Sequence, residues 1–192
     1  MADGKEVTRK ITLRGIADIM FDRYAGDNKT ELDPSQKMYF GQDGRSLVLP
    51  AANISSFLTA ENTPSAPKRF LDIRQYKNVA KAILSYTSIS PFEIPLTRNG
   101  EPVVFSGFED DQDRTADIYL HRCVARLAKG VPNPKVRPVV RCPWELSFEM
   151  TFYPNAEVQK DLIRNLMVRG GIAIGLGTYR GVFGKFIVDR WE

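Results

Sequence analysis

Apolar and polar side chains alternate without a break from Trp144 to Tyr153. Trp144, Leu146, Phe148, Met150 and Phe152 fall on one side; Glu145, Ser147, Glu149, Thr151 and the amphipathic Tyr153 fall on the other. Period two over this length predicts a strand with one face in the core and one in water. Residues 8–22 largely follow the same rule. Ile11, Leu13, Ala17, Ile19 and Phe21 oppose Thr12, Arg14, Asp18 and Asp22, with Ile16 and Met20 out of place, so one long strand is expected there. Lys185–Trp191 reads as a closing strand. Helical spacing appears three times. Pro50 opens Ala51–Ala60, with Ile54, Phe57 and Leu58 on one face. Lys77–Tyr86 turns Val79, Ile83 and Leu84 inward. Ala156–Arg169 turns Val158, Leu162, Ile163 and Leu166 inward, with Asn155 as N-cap and Gly170-Gly171 as a left-handed stop.

Turn chemistry links these elements. Asp43-Gly44 between residues 37–40 and 45–49, and Arg98–Glu101 between 91–96 and 102–105, predict two hairpins. Residues 24–36 and 62–69 read as polar loops, and Glu109–Asp113 as an acidic loop. Ile118–Leu127 reads as a strand that faces ligand on one side, and Gly130–Pro134 as a turn or arm. Strand, helix, hairpins, strand, helix, strand describes an α+β domain with a mostly antiparallel sheet. It is compatible with a ferredoxin-like βαββαβ core carrying inserted hairpins or an arm. Helices would cover one sheet face and leave the other free for a ligand. The 192 residues fit a single domain, with residues 109–141 as a basic insertion within it.

The net charge of +4 is unevenly placed. Residues 1–113 carry 14 Lys/Arg against 16 Asp/Glu, whereas residues 114–192 carry 13 against 7. Ile118–Arg141 holds Arg122, Arg126, Lys129, Lys135, Arg137 and Arg141 and no acidic residue. Such a run is a candidate polyanion contact, unless the acidic tract before it balances it in space. Other chemistry is sparse. The single histidine, His121, has no nucleophile motif around it, and together with Cys123 and Cys142 it supplies at most three of the four ligands of a structural zinc site. No metal, cofactor or disulfide framework is expected, and two cysteines suit a reducing, cytoplasmic compartment. No apolar run approaches the length of a membrane span, and the charged start does not read as a secretory signal.

Residues 170–184 contain six glycines in fifteen positions. The segment fails as a P-loop, because Lys185 is followed by Phe186 and position 179 is Tyr179. It fails as a dinucleotide fingerprint, because Gly181 comes one residue late after Gly175 and Gly177 and the loop runs from a helix into a strand. Two readings stay open: a loop whose amides cradle phosphates, with Tyr179 to stack and Arg180 and Lys185 for charge, or a tight connection that needs glycine sterically.

Two stretches together resemble the RAMP superfamily, the RRM-like backbone subunits of CRISPR effector complexes. Asp43 to Leu58, with Leu-Pro-Ala-Ala-Asn-Ile-Ser-Ser at its centre, is similar to the family's entry into its first helix, with Asn53-Ile-Ser-Ser where the family usually has serine-leucine-lysine-glycine. Gly175 to Phe186 is similar to its C-terminal glycine-rich loop. Residues 137–191 also resemble small phage and prophage proteins, so a solitary relative is expected. The resemblance implies a binder of single-stranded nucleic acid, with RNA preferred, that packs head to tail along the strand. Together with the charge pattern this gives the expectation of a non-enzymatic, homo-oligomeric binder of RNA or single-stranded DNA with no membrane partner. Phosphates would be tracked by Arg122, Arg126, Lys135, Arg137 and Arg141, the backbone held by Gly175, Gly177, Gly181, Arg180 and Lys185, and bases stacked on Tyr179 and His121. The alternatives are a metal-dependent RNA nuclease using loop aspartates such as Asp22, Asp27 or Asp33, and a phage structural or CRISPR-interfering protein.

Overall fold

The structure is a computed structural model that describes residues 5–27, 30–60, 65–108, 115–126 and 132–192. Glu109–Asp113 and Lys129–Val131 therefore lie outside the described residues. In chain order the strands are β1 (Val7–Gly15), β2 (Ile19–Met20), β3 (Val48–Pro50), β4 (Thr87–Ser90), β5 (Glu93–Arg98), β6 (Glu101–Pro102), β7 (Ile118–Arg126), β8 (Pro132–Val140), β9 (Glu145–Phe152) and β10 (Phe186–Trp191). The helices are α1 (Ala51–Thr59), α2 (Ile73–Tyr86) and α3 (Lys160–Ala173), with short 3-10 turns at Pro34–Lys37 and Pro67–Phe70.

Seven strands form one sheet. Its path runs β10-β1-β9-β5-β3, with β4 also paired to β9 and β6 to β5. Every pairing in it is antiparallel. β1, then α1 and α2, then β4–β5, then β9, α3 and β10 make a split βαβ arrangement, so the molecule is the α+β, ferredoxin-like fold that the pattern predicted. The reason lies in the alternation. Ile11, Leu13, Leu146, Phe148, Met150 and Phe152 are buried in one cluster with Ile54, Phe57 and Leu58 of α1, Ile83 of α2 and Leu166 of α3. At about 25 cal/mol per Å² of apolar surface, this shared face is the main source of stability. The opposite face of β1 and β9 presents Thr8, Lys10, Thr12, Arg14, Glu145, Ser147, Glu149 and Thr151, with no aromatic residue among them. It is tied by hydroxyl pairs, Thr8–Thr151 at 2.9 Å and Thr12–Ser147 at 3.0 Å.

Several expectations are corrected. Residues 8–22 are not one strand. β1 ends at Gly15, and β2 joins a second sheet, because Trp144 packs its indole against Gly15 and donates Nε1–H to the Ala17 carbonyl at 2.8 Å. The third helix starts four residues later than its pattern suggested. Asn155 caps a preceding turn instead, its Oδ1 accepting the amides of Glu157 and Val158. Gly170 and Gly171 are inside α3, where a Cβ would press on Phe57 and on the Phe186 carbonyl, and the left-handed residue comes at Gly175 (φ 88°). Leu84 points outward, and Ala82 joins Val79 and Ile83 in the buried set. β4 and β8 are strands the pattern did not announce.

Candidate functional site

β7 and β8 pair over their whole nine-residue length, and β2 adds to the root of β8, giving a three-stranded second sheet. The basic run is thus a β-hairpin about 30 Å long. Its root enters the main core through Ile118 and Val140. Cross-strand partners lie on the same face. One face carries Tyr119 opposite Val139, His121 opposite Arg137 and Cys123 opposite Lys135. The other carries Leu120 opposite Pro138, Arg122 opposite Val136 and Val124 opposite Pro134. Arg122 is exposed on that outer face. Arg126 ends β7.

The first face packs against the glycine-rich loop. Met20, Val139 and Phe183 form a small buried cluster with Tyr119. His121 meets the Phe183 ring edge-on at 5.3 Å between centroids, and the Tyr179 ring lies 5.9 Å from that of Phe183. Three rings therefore run from hairpin to loop, with Phe183 buried and Tyr179 53% exposed at the outer end. Phe183 and its role escaped sequence reasoning, which saw only the glycines around it.

The loop is held by its own backbone. The amides of Ile174, Gly175, Leu176, Thr178, Gly181, Val182, Phe183 and Gly184 all donate to carbonyls of the protein. Gly177 and Gly184 have positive φ (73° and 71°), and a Cβ there would land on the carbonyl oxygens of Met20 and Leu176. Sterics thus require both glycines, as in the tight-connection reading. Gly181 is also left-handed but faces open space. Tyr179 adopts φ 52°, a conformation uncommon outside glycine, which turns its ring to the surface. Arg180 folds inward, its Nη1–H donating to the Ser65 carbonyl at 2.9 Å and Nε–H to Gly177. Burial lowers the pKa of its guanidinium from the usual value. Lys185 is half-buried, and its carbonyl accepts the amides of Ile16 and Ala17.

Asp18, in the break between β1 and β2, ties hairpin to loop. Its Oδ2 accepts the Tyr119 hydroxyl and its Oδ1 the Cys142 amide, both at 2.9 Å, while its carbonyl accepts Gly184 N–H at 2.7 Å. The guanidinium of Arg141 lies over the Tyr119 ring at 5.6 Å and donates to the Ala116 carbonyl. Cys142 is a satisfied thiol, donating to the Gly15 carbonyl, with its pKa raised first by burial and then by Asp18.

Among the described residues, the carboxylates paired with Lys135 and Arg137 come from the loop after β2. Arg137 pairs with Asp22 at 2.7 Å, Lys135 pairs with Glu31, and Glu31 also pairs with the buried Lys37. Asp22, Glu31, Lys37 and Lys135, with Tyr24 and Asn133, line an open cleft of about 460 Å³. Asp27 turns back to accept Thr30 N–H and Oγ1–H, and Asp33 caps the 3-10 turn at Pro34–Lys37. Among the described residues no group of three or more His, Cys, Asp or Glu is arranged to hold a metal ion.

These features define a class: a ferredoxin-like domain with a basic hairpin laid against a glycine-rich loop. No family model matches the chain, and no curated protein does. Among solved structures, 98% of this chain aligns with 60% of a chain in "Cryo-EM structure of the Type III-B Cmr-beta bound to cognate target RNA", with TM-score 0.55 and 12% sequence identity. The likeness is one of fold.

Proposed function

We propose that this protein binds a single strand of nucleic acid, RNA in preference to DNA, along the face where the β7–β8 hairpin meets the glycine-rich loop. One observation carries the reading: the two segments singled out by charge and by glycine content, 62 positions apart at His121 and Phe183, lie ring against ring. The likeness in fold to a chain of an RNA-bound assembly supports the choice of RNA. In this reading Lys135 and Arg137, on the same hairpin face as His121, meet phosphates, Tyr179 stacks on a base, and the hydrogen-bonded loop acts as a support. The protein binds without cleaving, and successive copies follow one another along the strand.

Titration of fluorescent oligo(U) and oligo(dT) tests this. Affinity should fall with salt, with a log–log slope of about −0.7 for each phosphate neutralised. Tyr179→Ala should cost about 1–3 kcal/mol of binding, the worth of one stacked base. Mass photometry on strands of increasing length should show copies added stepwise. Binding that is absent or indifferent to salt overturns the proposal.

A further inference from the structure

Two of the hairpin's cations already hold anions. Lys135 and Arg137 are two residues apart on β8, so they sit on one face about 7 Å apart along the strand. Each is engaged by a carboxylate from the loop after β2, Lys135 by Glu31 and Arg137 by Asp22. The Asp22–Arg137 pair is well covered, with side chains 26% and 13% exposed. Glu31 is shared. Its other oxygen accepts from Lys37, which is 3% exposed and also donates to the Val136 carbonyl at 2.8 Å. Both lysines hold the Glu31 carboxyl below the ordinary carboxylate range. Three cations thus face two anions.

Two anions spaced along an extended β-strand resemble the consecutive phosphates of an extended nucleic-acid strand. We propose that Asp22 and Glu31 are specificity-determining residues of the strand-binding face, internal anions that the ligand must displace from Arg137 and Lys135. The inference rests on the function proposed above and adds a selection rule to it. A carboxylate tethered in the same chain acts at high effective concentration, so a lone phosphate loses the competition. A strand presents many phosphates at once and wins it. The exchange is built to be cheap on one side, because Glu31 keeps Lys37 when Lys135 leaves, and no buried lysine is stranded.

The test is oligo(U) binding by the full chain, for wild type, Asp22→Asn, Glu31→Gln and the double variant, across a salt series, with uridine monophosphate and short oligonucleotides as competitors. Freeing two cations should steepen the log–log salt slope by about 1.4, so that between about 50 and 200 mM salt the double variant loses about sevenfold more affinity than wild type. At low salt it should bind more tightly, and the short ligands should compete better than they do against wild type. If wild type binds while the double variant binds no tighter and with the same slope, the carboxylates merely position the cations. The inference then falls and the proposed function stands. If neither protein binds oligo(U), both fall. Should the double variant fail to fold, Glu31→Gln alone keeps an acceptor for Lys37, and its slope should steepen by about 0.7.

Discussion

The two sheets of this protein are held by different forces. The seven-stranded sheet seals one face under three helices, with Leu13, Trp144, Leu146, Met150 and Phe186 essentially without exposure. The three-stranded sheet is buried only at its root. Ile118 and Val140 enter the main core, and Met20, Val139 and Phe183 make a small cluster on the other side. Further out, the side-chain links include the His121–Phe183 ring contact and the ion pairs to Asp22 and Glu31. Apolar burial is insensitive to salt and to acid, whereas partly exposed ion pairs answer to both. The segment with the candidate binding residues is therefore the part of the molecule whose attachment an ionic ligand can perturb, and the ferredoxin-like core is what it is attached to.

The sharpest way to break this contrast is to truncate one side chain in each sheet. Trp144 is fully buried and hydrogen-bonded to Ala17 through its indole nitrogen. Trp144→Ala should cost about 3–5 kcal/mol of global stability in urea unfolding. Val124, on the outer face of the hairpin, is 61% exposed. Val124→Ala should stay within about 0.5 kcal/mol of wild type. Comparable losses at the two sites would mean that the hairpin is as much core as the main sheet.

A second, smaller effect separates sterics from ligand contact within the glycine loop. Gly184→Ala must hold a strained φ and also push a Cβ onto the Leu176 carbonyl, so it should lose more than about 2 kcal/mol. Gly181→Ala meets nothing within 4 Å, so only its left-handed φ of 91° counts, about 1–2 kcal/mol. Thermal unfolding of the two variants gives the order. A reversed order would mean that the loop is shaped otherwise than its backbone hydrogen bonds imply.

The contrast between the sheets also explains what could be read from sequence. Core strands write their burial as alternation, so Trp144 to Phe152 was legible residue by residue. α1 was legible through Ile54, Phe57 and Leu58, and the turn at Asp43-Gly44 through its residues, although residues 37–40 before it form only a single bridge, Phe40 to Leu47, and no strand. β8 was hidden by Pro132, Pro134 and Pro138, which argue against a strand. The geometry resolves the conflict. The carbonyls of Val136 and Pro138 point to Lys37 and Phe21, away from β7, so even-numbered residues of β8 face the edge that β7 does not use. Prolines there cost no bond to β7. The charge run of the hairpin was equally plain, but its counter-ions were not. Asp22 and Glu31 lie 115 and 104 positions from their partners, and nothing local connects them. A break such as Ile16–Asp18 could be seen only as two residues out of phase.

Acid provides the third comparison. The Glu31 carboxyl is held below the ordinary range by Lys135 and Lys37, so its folded pKa lies below its unfolded one. Its contribution is complete above the unfolded value and is lost as pH falls through the folded value. Amide resonances of Lys135 and Arg137 should therefore move in NMR spectra taken below about pH 4.3, while Leu146 and Met150 stay fixed. Raising salt at neutral pH should shift the same hairpin resonances. If the main sheet moves first, the ion pairs do not govern the attachment of the hairpin.

The smallest expected effect lies on the open face of the main sheet, which the sequence left free for a ligand. Arg14 pairs there with Asp189 at 3.2 Å, and both side chains are nearly half exposed. Exposed pairs of this kind are worth at most about 1 kcal/mol, so Arg14→Ala should barely alter the unfolding midpoint. Its value is as a control on where a strand lies. β1 and β9 offer threonine, serine and balanced charges on that face but no ring, whereas the hairpin face offers Tyr179 with His121 and Phe183 behind it. Single strands bind where bases can stack. Arg14→Ala should therefore leave both oligo(U) affinity and its salt slope unchanged, while Tyr179→Ala weakens binding by about 1–3 kcal/mol. The reverse pattern would move the binding face from the hairpin to the sheet.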